Sequence, residues 1–294
     1  ENSGIINAQL GQVSLASGKT FTLDLYGDKL VSLGIDSKVL NQVIGPDGQP
    51  VSSLVKNGGS IFANGGTVFL EVNAARDIVD HVINMDGLIE AKSAVQENGE
   101  IILLGGDEGI VNVTGTLDAS GKEVGQTGGE VQVLGEWVAL LENAFIDVSG
   151  DLGGGTALIG GDYQGKGIVP TSEKTYFHST AFVTADALTS GDGGKVILWA
   201  DDATYFYGGI SASGGLQSGN GGFVETSGKQ YLDFGGRVDV AAYNGIGGTV
   251  LLDPVSITIL AGTDSNSTGF TAGSDIAELF ADDSAVVGTV LDPT

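Results

Sequence analysis

The chain of 294 residues has no cysteine, five prolines, and only two arginines, Arg76 and Arg237. Absence of cysteine excludes a disulfide framework and thiolate metal sites, and is compatible with a bacterial surface protein that crosses membranes unfolded. Five prolines beside 50 glycines exclude collagen, which needs far more proline and glycine at every third position. Twelve basic against 37 acidic residues give a formal charge of −25 and a pI near 4.1. No basic stripe is available to neutralise phosphates, so nucleic acid is not an expected partner. Anionic membrane surfaces would repel such a chain. Apolar runs such as Ile101 to Leu104 and Val138 to Leu141 fall far short of the roughly 20 residues of a membrane helix, so no membrane insertion is expected. There is neither an initiator methionine nor a charged-then-apolar leader before Glu1-Asn2-Ser3, which reads as an internal piece of a longer protein.

Glycine is abundant, while 41% of the residues are still hydrophobic, too many for a disordered chain. A motif of apolar, polar, small and polar residues recurs: Ile6-Asn7-Ala8-Gln9, Ile61-Phe62-Ala63-Asn64, Ile89-Glu90-Ala91-Lys92, Leu117-Asp118-Ala119-Ser120, Ile146-Asp147-Val148-Ser149, Val183-Thr184-Ala185-Asp186, Ile210-Ser211-Ala212-Ser213 and Val238-Asp239-Val240-Ala241. The lead residues are separated by 55, 28, 28, 29, 37, 27 and 28 positions. The unit is thus about 28 residues, with one copy hidden in the 55, led by Leu33, and a nine-residue insertion in the 37. Gly-Gly pairs open a second short apolar strand in the unit, as in Gly128-Gly129-Glu130-Val131, Gly193-Gly194-Lys195-Val196 and Gly221-Gly222-Phe223-Val224. Glycine is expected there for positive-φ corners. A third apolar stretch precedes each lead residue, as in Trp137-Val138-Ala139 and Tyr231-Leu232-Asp233-Phe234.

Three short strands and three turns per unit, with inward and outward residues alternating, make one coil of a right-handed parallel β-helix. This all-β, three-sheet solenoid is expected over residues 1–260, as nine or ten coils and a rod near 45 Å long at the usual strand spacing. Loop excursions are expected at 37–56 and 160–175, and 261–294 reads as a tail or linker to a next domain. Helical periodicity is confined to the stretch from Ser274 to Phe280.

Twelve of the 20 aromatic residues fall between Tyr163 and Tyr243. Tyr176, Tyr205, Tyr207 and Tyr231 are the candidate ligand surface: exposed rings on a flat sheet can stack on sugars or a partner protein, whereas the alternative is an aromatic column packed within or beside the solenoid. Gly105-Gly106-Asp107-Glu108-Gly109 and Asp201-Asp202 gather carboxylates, but read as turn residues rather than as a calcium site or glycosidase pair. His81 and His178 lack a nucleophile partner in the sequence. Gly153-Gly154-Gly155 precedes no Lys-Ser or Lys-Thr helix start. No catalytic, metal or cofactor-binding residue is assigned.

Longer words carry a resemblance: Gly4-Ile5-Ile6-Asn7-Ala8, Gly160-Gly161-Asp162-Tyr163-Gln164-Gly165-Lys166-Gly167, the run from Ala187 to Asp202, Tyr205-Phe206-Tyr207-Gly208, and Leu251-Leu252-Asp253-Pro254 with Ile257-Thr258-Ile259. Over residues 4–260 the chain resembles filamentous-haemagglutinin-type exoproteins of bacterial two-partner secretion. The resemblance implies a secreted or surface-held β-helical adhesin or stalk, exported by an outer-membrane transporter. The family's secretion signal lies in an N-terminal domain with Asn-Pro motifs; no such motif occurs in this sequence, so the chain is expected to follow that domain, through which the transporter would act. The expected function is a non-catalytic structural and adhesive rod that binds a cell-surface glycan or protein. The alternatives are a β-helical polysaccharide-degrading enzyme and a module binding a host or haem-carrying protein.

Overall fold

The computed structural model describes residues 1–24, 32–75, 78–94, 97–255, 257–259 and 289–291. Three parallel sheets wrap one apolar core as a β-helix. The first sheet holds β1 (Ile5–Asn7), β6 (Ser60–Phe62), β9 (Leu88–Glu90), β12 (Thr116–Asp118), β15 (Phe145–Asp147), β18 (Phe182–Thr184), β21 (Gly209–Ser211) and β24 (Arg237–Asp239), in that spatial order. The second holds β2 (Gln12–Ser17), β7 (Thr67–Val72), β10 (Glu100–Leu104), β13 (Glu130–Leu134), β16 (Thr156–Ile159), β19 (Lys195–Ala200), β22 (Phe223–Gly228) and β25 (Thr249–Leu251). The third holds β5 (Ser53–Asn57), β8 (His81–Met85), β11 (Ile110–Val113), β14 (Trp137–Leu140), β17 (Lys174–Phe177), β20 (Ala203–Phe206) and β23 (Tyr231–Phe234), and continues through β27 (Thr289–Leu291) to β26 (Ile257–Ile259).

The recurring motif of the sequence is the first sheet. Its lead residues Ile6, Ile61, Ile89, Leu117, Ile146, Val183, Ile210 and Val238 pair in register from coil to coil. The small residue two places on, such as Ala63, Ala91, Ala119 and Ala185, lines the same core. The polar residue between them shapes the corner: Asp118, Asp147 and Asp239 each accept the backbone N–H two residues ahead, at 2.9–3.0 Å. A side-chain acceptor placed there satisfies a donor that the strand ladder leaves behind.

Glycine acts at the next corner through close approach. In the column Gly11, Gly66, Gly99, Gly129, Gly155, Gly194, Gly222 and Gly248, each carbonyl of the first seven accepts the N–H that follows the next glycine, at 2.9–3.1 Å. A Cβ at Gly66, Gly129, Gly155, Gly194, Gly222 or Gly248 would collide with the carbonyl oxygen of the glycine one coil below. None of these six has a positive φ, so the expectation of left-handed corners is corrected for them: tight stacking, not dihedral freedom, excludes a side chain.

The 55-residue interval contains no hidden coil. Ile6 pairs directly with Ile61, and Leu33 lies in an antiparallel hairpin of β3 (Thr20–Asp24) and β4 (Ser32–Ser37) that leaves the coil after β2. The first two sheets therefore have eight strands each, and seven spacings of about 4.8 Å give a stack of about 34 Å rather than 45 Å. Within the 37–56 excursion Ile44 bridges Pro50 in antiparallel fashion. The 160–175 excursion contains a single 3-10 turn, Tyr163–Gly165. Of the segment expected as a tail, Thr289–Leu291 forms a strand in the third sheet. The rest of it, including 274–280, lies outside the described residues, as does Arg76.

Candidate functional site

The third sheet sorts the aromatic residues by alternation. Inward, Val113, Leu140, Phe177, Phe206 and Phe234 form one column, with the rings of Phe177 and Phe206, and of Phe206 and Phe234, 5.1 Å apart between centroids. Outward, Asn112, Ala139, Tyr176, Tyr205 and Asp233 form the neighbouring column. Tyr231 pairs with Ala203 in the outward column beside it, and Tyr207 follows the end of β20. All four candidate tyrosines thus share one outer face.

That face is not an open stacking platform. Tyr176 is 2% exposed and Tyr205 3%, while Tyr207 and Tyr231 are half-buried. Tyr176, Tyr205, Ala139 and Ala203 form a second apolar cluster, with Ile110, Trp137, Leu141, Tyr207 and Tyr231 packed against it. Ring centroids lie 6.0 Å apart for Tyr176 and Tyr207 and 5.8 Å for Tyr205 and Tyr231, within the range of favourable aromatic pairs. Burial, reinforced by the Glu142 charge, pushes the Tyr176 hydroxyl up to about 12. The Tyr207 hydroxyl donates to Asp233 Oδ2 at 2.8 Å, and burial together with that carboxylate raises it far above the ordinary tyrosine value. The expectation of exposed rings is therefore corrected for Tyr176 and Tyr205: they face outward but pack laterally with each other's neighbours.

The Gly160–Gly167 word builds a different arrangement on the outer face of the second sheet. Leu158, Ile197 and Trp199, outward on β16 and β19, form a third apolar cluster with Val169 and Phe223. Gly161 and Gly165 approach the Trp199 ring so closely that a Cβ at either would collide with it. Asp162 caps the turn by accepting the Tyr163 N–H, and pairs with Lys195 of β19. Gln164, at φ 55°, directs its backbone N–H at both carboxylate oxygens of Glu225, at 3.0 and 3.3 Å. Its side-chain amide donates to Asp253 Oδ2 at 3.2 Å. Glu225 is wholly buried although it sits at an outward position of β22. Burial raises its carboxyl above the ordinary range, and the Gln164 N–H, Ser227 and Lys195 oppose that shift. Sequence reasoning missed Glu225, because an outward carboxylate in an alternating strand reads as solvated.

The other candidates fall into structural roles. Glu108 pairs with Lys38 at 3.0 Å. Asp201 accepts from the Thr171 hydroxyl and the Trp199 indole N–H. The His178 ring lies 3.0 Å from the Thr180 hydroxyl. Among the described residues no three His, Asp or Glu side chains are grouped to hold a metal ion, and no helix is long and apolar enough to cross a membrane. Exposed apolar side chains recur in five successive coils at the corner between the first and second sheets, at Val124, Leu152, Leu188, Leu216 and Tyr243.

No protein-family model matches the chain, and no curated protein sequence matches it. Among solved structures, it is similar to the HMW1 secretion domain from Haemophilus influenzae, at 27% identity and a TM-score of 0.62 over 85% of this chain. The match spans 59% of that domain's own chain. The three-sheet parallel β-helix is thus the architecture of a chain similar to a bacterial secretion domain.

Proposed function

We propose that the chain is a non-catalytic β-helical part of an exoprotein that leaves the cell by two-partner secretion and works outside it as a structural and adhesive rod. The observation that carries this reading is the similarity, at 27% identity, of 85% of the chain to the HMW1 secretion domain. Supporting it, the conspicuous side chains serve stacking: carboxylates cap corners and glycines admit the next coil. The partner in export is an outer-membrane transporter. Adhesion then falls to surfaces other than Tyr176 and Tyr205, and the exposed apolar corner from Leu152 to Tyr243 offers contacts insensitive to salt.

The test is export of the exoprotein from a Gram-negative host with and without its outer-membrane transporter. Extracellular protein only in the presence of the transporter supports the reading. Equal export in both strains overturns it. A glycan array combined with a reducing-sugar assay separates adhesion from turnover: binding without release of reducing ends is expected, and release of reducing ends overturns the non-catalytic assignment.

A further inference from the structure

Residues 161–171 run across the second sheet and shield a tryptophan that is only 4% exposed, Trp199. Four charged side chains outside this segment tie it down: Lys195 holds Asp162, Glu225 the backbone N–H of Gln164, Asp253 the Gln164 side-chain amide and Asp201 the Thr171 hydroxyl. Glu225 lies 61 residues away in sequence, at an outward position of β22, and is wholly buried. Among the described residues Gln164 is one of three non-glycine residues with positive φ, a conformation that persists only where surrounding contacts hold it.

We propose that residues 161–171 are a strap over Trp199 and that Glu225 is its latch, closed while the carboxyl carries a proton and released as it ionises. A protonated carboxyl still offers an oxygen to the Gln164 N–H, so the closed geometry survives protonation. Ionisation places a charge beneath the strap, where water is excluded. The charged groups acting on Glu225 are Lys195 on β19 and Asp253 beyond β25; Asp162 and Lys166 flank Gln164 on the strap. The Gln164 N–H, Ser227 and Lys195 favour the ionised form, but burial outweighs them; the Lys195 ammonium is already engaged by Asp162, and Lys166 is turned to the Gln164 side-chain oxygen at 2.8 Å. Asp253 disfavours the ionised form. The sign follows: closing raises the carboxyl above its value in the open, hydrated state, so acid favours the closed strap and rising pH opens it.

The experiment uses the whole chain with Trp137→Phe, so that Trp199 is the one remaining tryptophan, and follows acrylamide quenching of its fluorescence from about pH 5 to about pH 8.5. Quenching is expected to be weak at the acid end and to increase with pH, the open fraction growing by up to about tenfold per pH unit within the window between the open-state and closed-state values. In the added variant Glu225→Gln the neutral amide oxygen keeps the latch shut, and quenching stays weak and flat. A wild-type profile without pH dependence overturns the proposal. So does a profile that persists in Glu225→Gln, which assigns the titration to another group. Loss of the circular-dichroism strand signal along with the quenching change also overturns it, because the whole coil rather than the strap has then opened. Carbon NMR of the Glu225 carboxyl provides a reading that needs no variant at Glu225: its midpoint should coincide with that of quenching, and a midpoint in the ordinary carboxylate range overturns the latch.

Discussion

Gly222 sits directly over Gly194: the Gly194 carbonyl accepts the Phe223 N–H at 2.9 Å, and a Cβ on Gly222 would run into that same oxygen. Gly222→Ala must therefore displace backbone on two coils at once. Overpacking of this kind costs about 1–3 kcal/mol, and rigid backbone places the expected loss at the upper end. Gly247→Ala is the control, because no atom lies within 4 Å of its added Cβ and its φ is not positive. It should be neutral or stabilising by about 0.4–1 kcal/mol through the unfolded state. Thermal melting of the two variants checks the contrast, and equal shifts would contradict a steric origin of the glycine column.

The strand Thr116–Asp118 and the residue after it separate burial from capping. Ala119 is fully buried in the core, so Ala119→Lys is expected to cost several kcal/mol, an unpaired charge having no partner there. Asp118 faces outward, but it accepts the Ser120 N–H at 3.0 Å and lies 3.4 Å from the Lys92 ammonium. Asp118→Lys therefore loses a corner cap and sets two cations together, for an expected loss of about 1–2 kcal/mol, while Asp118→Asn keeps the acceptor and should lose less. Chemical denaturation of the three variants should rank them in that order.

Alkaline stability should report the aromatic face. Tyr176 titrates near 12 in the folded chain against about 10 in an unfolded one. Because the folded value is the higher, the associated stability is intact below about pH 10 and is lost as pH rises toward 12. Absorbance at the tyrosinate band should lose its most alkaline component in Tyr176→Phe, and the same variant should soften the fall in melting temperature over that window. An absorbance titration that Tyr176→Phe leaves unchanged above pH about 10 would mean that Tyr176 is not shielded.

Inward threonines test the side-chain satisfaction of the core. Thr175 and Thr204 occupy the column of Val138 and Leu232, and their hydroxyls donate to the Trp199 and Ser227 carbonyls at 2.7 and 2.8 Å. Thr175→Val keeps the shape and removes that bond, for an expected loss of about 1 kcal/mol. No change in melting temperature would show that the bond contributes nothing net.

The coil was legible because its period repeats chemistry as well as spacing: Ile89, Leu117 and Ile146 announce one column, and Asp118 and Asp147 announce its corner. Alternation alone could not say what lies over an outward residue. Tyr176 and Glu225 both occupy outward positions and both are buried, the first among its neighbours in the sheet and the second against Gln164, from a segment 61 residues earlier in the chain. Leu33 misled for a related reason. A hairpin strand alternates like a coil strand, and only the direct pairing of Ile6 with Ile61 distinguishes an inserted hairpin from a further turn.

Both long excursions leave the solenoid at the same corner, between the second and third sheets: one after Ser17 and returning at Ser53, the other after Ile159 and returning at Lys174. The two sheets on either side stay in register across each gap. This corner is therefore a port through which foreign sequence can be displayed. A peptide grafted after the exposed Asp107, between β10 and β11, should hang from the rod at a closure cost of only about 0.6 kcal/mol for each doubling of its length, and grafts in successive coils would be spaced by about 4.8 Å along one edge.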